Sequence, residues 1–201
     1  MAYKPKKYYA VRVGRVPGIY ESWPECESQV HGYPGAQFKS FESRDSAQSY
    51  IDNDTTNLKS NPDDCIAYVD GSYDIKNKRY SCGVVLLKSD EIIEEYNEVG
   101  SDIEASSMRN VAGEILGSQR AVEMAIALGF KRVVIYHDYS GIAGWGNGEW
   151  KTNNQWTTQY KEFIRNSRKK IEIKFVKVKG HSSNKYNDMA DQLAKDALGI
   201  K

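Results

Sequence analysis

From Cys65 onward, the order in which apolar residues change their spacing constrains this chain more than any other feature. Ile66–Val69, Ser81–Leu87 and Ile92–Val99 are short strand-like runs with short connections. Asn110–Leu128 then switches to helical spacing, with Ile115, Val122, Ala125, Ile126 and Gly129 along one face. Lys131–Tyr136 is again a β-branched strand, Thr157–Ser167 a helix, Ile171–Val178 a strand and Asn187–Leu198 a closing helix. The order βββαβαβα predicts an α/β fold, a mixed five-stranded sheet with helices on its faces.

A break in composition separates this region from what precedes it. Residues 52–64 hold four acids, one lysine, a proline and almost no apolar side chain, the composition of a solvated linker. Residues 1–51 carry seven Lys/Arg against five Asp/Glu, and residues 65–201 carry twenty against eighteen, so both lobes are mildly basic and the acidic linker masks it in the net charge of +1. The expected division is therefore a module of residues 1–51, a linker of 52–64 and a larger domain of 65–201.

In the first module, Tyr8–Val13 and Gly18–Tyr20 read as strands around a turn, and Ser22 with Glu25 forms a capping-box pattern opening a helix through Val30. A third strand, Gln37–Phe41, precedes a helix over Ser43–Ile51. Tyr8, Tyr9, Tyr20, Trp23, Tyr33, Phe38 and Phe41 are many aromatics for so small a core. Interleaved with Lys6, Lys7, Arg12, Arg15 and Lys39, they suit stacking on sugars or bases beside phosphate-binding cations. The alternative is that they are simply the core.

Cys26, Cys65 and Cys82 are odd in number and lie in or beside apolar runs, which predicts buried, reduced thiols and a cytoplasmic setting. The start lacks an apolar signal core, and no stretch approaches the roughly 18 apolar residues of a membrane span, so neither export nor membrane anchoring is expected.

Four acids fall at element boundaries. Asp70 is expected at the end of the first strand of the larger domain, where Asp70 with Gly71 taken alone would read as a turn. Glu114 lies in the first turns of the long helix, Asp138 follows the strand "RVVIYHD", and Asp191 lies in the last helix. If the strands leading to Asp70 and Asp138 are parallel neighbours, their C-terminal ends meet where ligands of open α/β sheets gather. Four carboxylates at one point repel unless divalent cations neutralise them, and oxygen ligands suit Mg²⁺ or Mn²⁺. His181, on a glycine-led loop after a strand, is placed to shuttle protons.

The segments "YVDGSY", "NVAGEI", "YHDYSG" and "VKGHSSNKYNDMADQLA" resemble, in order and spacing, the acidic motifs of type 1 ribonuclease H over residues 65–198. Residues 6–51 resemble the small hybrid-binding domain that precedes this nuclease in many organisms. The resemblance implies a ribonuclease H-like fold and an endonuclease that cuts the RNA strand of RNA/DNA hybrids, leaving 5′-phosphate and 3′-hydroxyl ends. It implies that Asp70, Glu114, Asp138 and Asp191 hold two Mg²⁺ ions and that His181 aids proton transfer or product release. Gly71, Ser72 and Asn110 would read the RNA 2′-hydroxyl. Tyr9, Trp23, Phe38 and Lys39 would grip the hybrid, and the protein would act as a monomer.

Departures from the family pattern also stand out. Asn110 is followed by Val111 rather than a second asparagine, Tyr139-Ser140 replaces the usual Ser-Gln, and Ser40 replaces a second lysine. The stretch between Asp138 and His181 is too short and too weakly basic for a cationic substrate-binding protrusion, so substrate binding is expected to shift to the N-terminal module. Two other readings stay open: a non-catalytic binder of hybrid or double-stranded RNA, and a DNA-processing nuclease of the same fold.

Overall fold

A computed structural model describes residues 7–52, 61–178 and 184–200. The chain divides into two compact units, one taking in Met1–Leu58 with Asn147–Glu149 and the other Lys59–Gly146 with Trp150–Lys201.

The smaller unit is an antiparallel sheet in the order β2-β1-β3, formed by β1 (Tyr8–Val13), β2 (Gly18–Tyr20) and β3 (Gln37–Phe41). Alternation along β1 sends successive side chains to opposite faces, and each face meets one helix. Val11 packs with Cys26 and Val30 of α1 (Trp23–Val30), while Ala10 packs with Phe41 and with Ala47 of α2 (Arg44–Asp52). The expected capping box opens α1: the Glu25 backbone N–H donates to Ser22 Oγ at 3.4 Å, and Glu25 Oε2 accepts from the Ser22 N–H at 3.1 Å. The aromatics split between the two readings, since Phe41 is buried whereas Trp23, Tyr33 and Phe38 are exposed.

The larger unit is a five-stranded mixed sheet in the order β6-β5-β4-β7-β8. Its strands are β4 (Cys65–Asp74), β5 (Arg79–Lys88), β6 (Glu91–Val99), β7 (Arg132–His137) and β8 (Glu172–Lys177). The central β4 runs antiparallel to β5 and parallel to β7. Helices α3 (Asn110–Ala127) and α5 (Gln155–Ser167) cover one face through Ile115, Val122, Tyr160 and Ile164. Helix α6 (Lys185–Leu198) covers the other, setting Ala190 against Tyr68, Val85 and Leu87. All three cysteines are buried and free.

Three expectations change. Asp70 does not end a strand: β4 continues to Asp74, because its antiparallel pairing with β5 runs on to Asp74↔Arg79 after the parallel pairing with β7 stops at Tyr68↔Tyr136. A short helix, α4 (Gly141–Gly146), follows β7 and a 3₁₀ turn spans Ala105–Met108, giving βββαβααβα. Three glycines in six residues erase the propensity signal of α4, which is held instead by burial of Ile142 and Trp145. Asp64, placed by composition in a solvated linker, is buried, and Arg132 donates to it through both Nε and Nη2.

The approach of α3 to β4 is set by two glycines. A Cβ on Gly71 would lie 2.2 Å from the Asn110 carbonyl oxygen and 2.5 Å from the Glu114 nitrogen, and one on Gly113 would lie 2.0 Å from the Ser81 carbonyl oxygen. Backbone meets backbone there, and only glycine at both positions allows it.

Candidate active site

The acids reach their positions from three elements. Ile66, Tyr68 and Asp70 alternate onto the α6 face of β4, while Cys65, Ala67 and Val69 enter the core beneath α3. Continued for two residues past Tyr68↔Tyr136, the parallel register puts Asp70 beside Asp138. Glu114, on the second turn of α3, is brought to the same point by the Gly71–Gly113 approach. One carboxylate oxygen from each of Asp70, Glu114 and Asp138 lies within 4.8 Å of the others.

Burial and mutual repulsion shape this cluster. Glu114 is 1% exposed, and burial first, then the Asp138 and Asp70 carboxylates, push it up to about 9. Asp70 rises to about 7, chiefly through burial and then Asp138; the Gly71 N–H, which donates to Asp70 Oδ1 at 2.7 Å, opposes the rise. Asp191 raises Asp70 further and Lys195 lowers it, so both belong to the electrostatic surroundings of the cluster. Acids this reluctant to ionise together form a hard-oxygen donor set suited to a divalent cation, and the residues present fit one.

Two contacts made to the acids were not singled out by the sequence. The Tyr139 N–H donates to Glu114 Oε2 at 3.3 Å, and Lys195 Nζ donates to Asp191 Oδ2 at 2.6 Å. Lys195 was detectable as the i+4 neighbour of Asp191. The Tyr139 contact is made by backbone and carries no signal in residue type. Asn187, one turn before Asp191, is buried, and its Oδ1 has no partner among the described residues. His137 is fully buried, and burial holds its ring down to about 4.

The expected substrate contacts separate into groups. Asn110 is exposed at the start of α3, whereas Ser72 is buried. The space beside Gly71 is taken by α3 itself, so that glycine is required by helix packing rather than by clearance for an approaching nucleic acid. Val111, the departure from the second asparagine, packs against the core. Ser140 Oγ lies 2.6 Å from Lys177 Nζ. In the smaller unit Trp23 contacts both Tyr9 and Phe38, with ring centroids 5.8 and 5.7 Å apart. Lys39 is not on that side: β3 alternation sends it with Phe41 to the α2 face. His181 lies outside the described residues.

A mixed sheet with carboxylates gathered where its central parallel pair ends defines the ribonuclease H-like class of α/β proteins. Residues 62–199 match the RNase H family, and the chain belongs to it; residues 7–51 match the Ribonuclease H1 N-terminal domain. The Ribonuclease H of Saccharomyces cerevisiae is 52% identical over 44 residues, 22% of this chain and 13% of that protein. The Ribonuclease H of Clostridium botulinum is 35% identical over 78 residues, 33% of this chain and 52% of that protein. The chain thus spans about half or less of either relative's length. Among solved structures, RNase H1 of Halobacterium salinarum aligns with a TM-score of 0.58 and 22% identity, covering 68% of this chain and 98% of that one. LC11-RNase H1 in complex with RNA/DNA hybrid aligns at 0.53 and 16%, covering 67% and 99%. These similarities establish the fold.

Proposed function

We propose that this chain is an endoribonuclease that hydrolyses the RNA strand of RNA/DNA hybrids. The supporting observation is the convergence of Asp70, Glu114 and Asp138 within 4.8 Å, where burial and mutual repulsion make Asp70 and Glu114 resist ionisation. Mg²⁺, in two ions, is the proposed cofactor, with Mn²⁺ an acceptable substitute; Asp70, Glu114, Asp138 and Asp191 would hold the pair, which would supply activation of the attacking water and charge stabilisation for the leaving 3′-oxygen.

The chain's own residues do the rest. Asp70 on β4 and Glu114 on α3 present oxygens from rigid elements, Asp138 presents its own from the residue after β7, and the Tyr139 N–H orients Glu114. Asp191, on α6 and outside the three acids that lie within 4.8 Å of one another, is assigned as the fourth ligand, with Lys195 as its countercharge. Water adds to the phosphorus and the P–O3′ bond breaks, so the phosphate stays on the 5′ end of one product and the other ends in a 3′-hydroxyl. His181 is assigned transfer of the proton involved or assistance in product release. Asn110 and backbone near Gly71 and Ser72 are assigned to the 2′-hydroxyl, and Tyr9, Trp23 and Phe38 to packing on the hybrid.

The test is to incubate labelled RNA/DNA hybrid, double-stranded DNA and double-stranded RNA with Mg²⁺, using the native protein and Asp138→Asn. Cleavage of hybrid alone, abolished by the substitution, is the expected result. Hybrid bound but uncut would identify a non-catalytic binder, and cut DNA would identify a DNA-processing nuclease.

A further inference from the structure

His137 immediately precedes Asp138, and its ring is fully buried on the core face of β7, beside Phe175 at a centroid distance of 6.0 Å. A valine or leucine would fill this position without polar atoms to satisfy. Instead His137 Nδ1 lies 2.9 Å from the carbonyl oxygen of Tyr139. A carbonyl only accepts, so Nδ1 carries the proton and Nε2 is left with a lone pair. That Nε2 is buried and has no partner among the described residues, an unfavourable arrangement that a purely apolar side chain would avoid.

What the imidazole gains is control of the next two residues. The Tyr139 carbonyl also accepts from the Ile142 N–H at 3.1 Å, so the ring ties the end of β7 to the first turn of α4. Tyr139 is thereby held at both of its polar ends, its carbonyl by His137 and Ile142 and its N–H on Glu114 Oε2. Asp138 is the residue enclosed by this link. With β7 finished at His137, no strand pairing of its own fixes Asp138.

We infer that His137 is a positioning residue: its Nδ1–H bond to the Tyr139 carbonyl locks the His137–Tyr139 link, aiming the Asp138 carboxylate and the Tyr139 N–H into one cluster with Glu114. This rests on the hybrid-cleaving reading of that cluster.

Three variants separate positioning from packing. Asparagine carries its amide nitrogen about where Nδ1 stood, glutamine carries it nearer to Nε2, and leucine supplies volume alone. The readouts are kcat and KM on hybrid, the calorimetric affinity for Mn²⁺ alone, and the thermal midpoint without metal. His137→Leu and His137→Gln should lower kcat about 10- to 100-fold and weaken Mn²⁺ binding by a similar factor, with KM for hybrid unchanged, as expected when a group orienting a ligand carboxylate is removed. His137→Asn should recover both to within about threefold of the native protein. Equal losses in the asparagine and glutamine variants would overturn the inference, as would native kcat and Mn²⁺ affinity in the glutamine or leucine variant. If the native protein cuts no hybrid, the proposed activity fails, but the Mn²⁺ series still decides whether His137 positions the cluster.

Discussion

Lys195 Nζ donates to Asp191 Oδ2 at 2.6 Å, one turn apart on α6, and the same ammonium lowers the proton affinity of Asp70. The lysine is therefore an internal countercharge for a cluster that cations are proposed to occupy. Lys195→Met should lower the thermal midpoint of the metal-free protein and tighten Mg²⁺ or Mn²⁺ binding by about two- to fivefold, the range of a partly exposed ion pair. Calorimetric titration checks the affinity; weaker binding in the variant would count against the countercharge role.

The pH dependence of stability follows from the raised acids. Asp70 moves from 3.8 to about 7 and Glu114 from 4.5 to about 9. Between each pair of values the folded chain holds a proton that the unfolded chain has released, so stability falls as pH rises through that window. Metal-free protein should lose thermal stability from about pH 4 to 9, and saturating Mg²⁺ should remove most of that slope. Cation binding near neutral pH should also release protons, read as a dependence of the calorimetric heat on buffer ionisation enthalpy.

Asp70→Asn tests the same balance by substitution. Removing a half-buried, repelled carboxylate should raise the metal-free thermal midpoint by a few degrees while lowering hybrid cleavage by about 10³-fold or more. A variant that is both less stable and fully active would refute the assignment.

Gly71→Ala should damage fold and site together. The added methyl would lie 2.2 Å from the Asn110 carbonyl oxygen, a backbone atom with no rotamer to change. The helix must back away, at a cost of about 3 kcal/mol. Glu114 moves with it, so activity should fall further than stability does; denaturant unfolding and initial rates measure the two.

Trp23→Ala should act on binding alone. Its ring is 40% exposed between Tyr9 and Phe38, so fold stability should change little. KM for hybrid should rise about tenfold with kcat unchanged, the value of one aromatic platform. Lys39→Ala, on the opposite sheet face, should have the smaller effect on KM.

Strands and most helices were legible because each has a local signature: period two in β4 and β5, period 3.6 in α3; the gathering of Asp70, Glu114 and Asp138 was expected from their places at or near element boundaries. Helix α4 was not legible, since its glycines favour no conformation and burial of Ile142 and Trp145 holds it. The extent of β4 was also hidden. Asp70-Gly71 has turn composition, and only the pairing with Gly83 and Cys82 keeps it extended. Asp64 had the composition of a linker and the partner of a core acid, Arg132, 68 positions away.

The amino-acid order alone determined most of the strands and helices and pointed to the acids proposed to carry the chemistry, because periodicity and residue type are local properties. The tertiary structure decided how far those side chains ionise and what orients them. Burial and repulsion raise Glu114 and Asp70 only once three elements meet, and the Gly71–Gly113 approach that brings them together is a contact between backbones. His137 shows the same division: its identity can be read in the sequence, but the bond from its Nδ1 to the Tyr139 carbonyl exists only where β7 turns into α4.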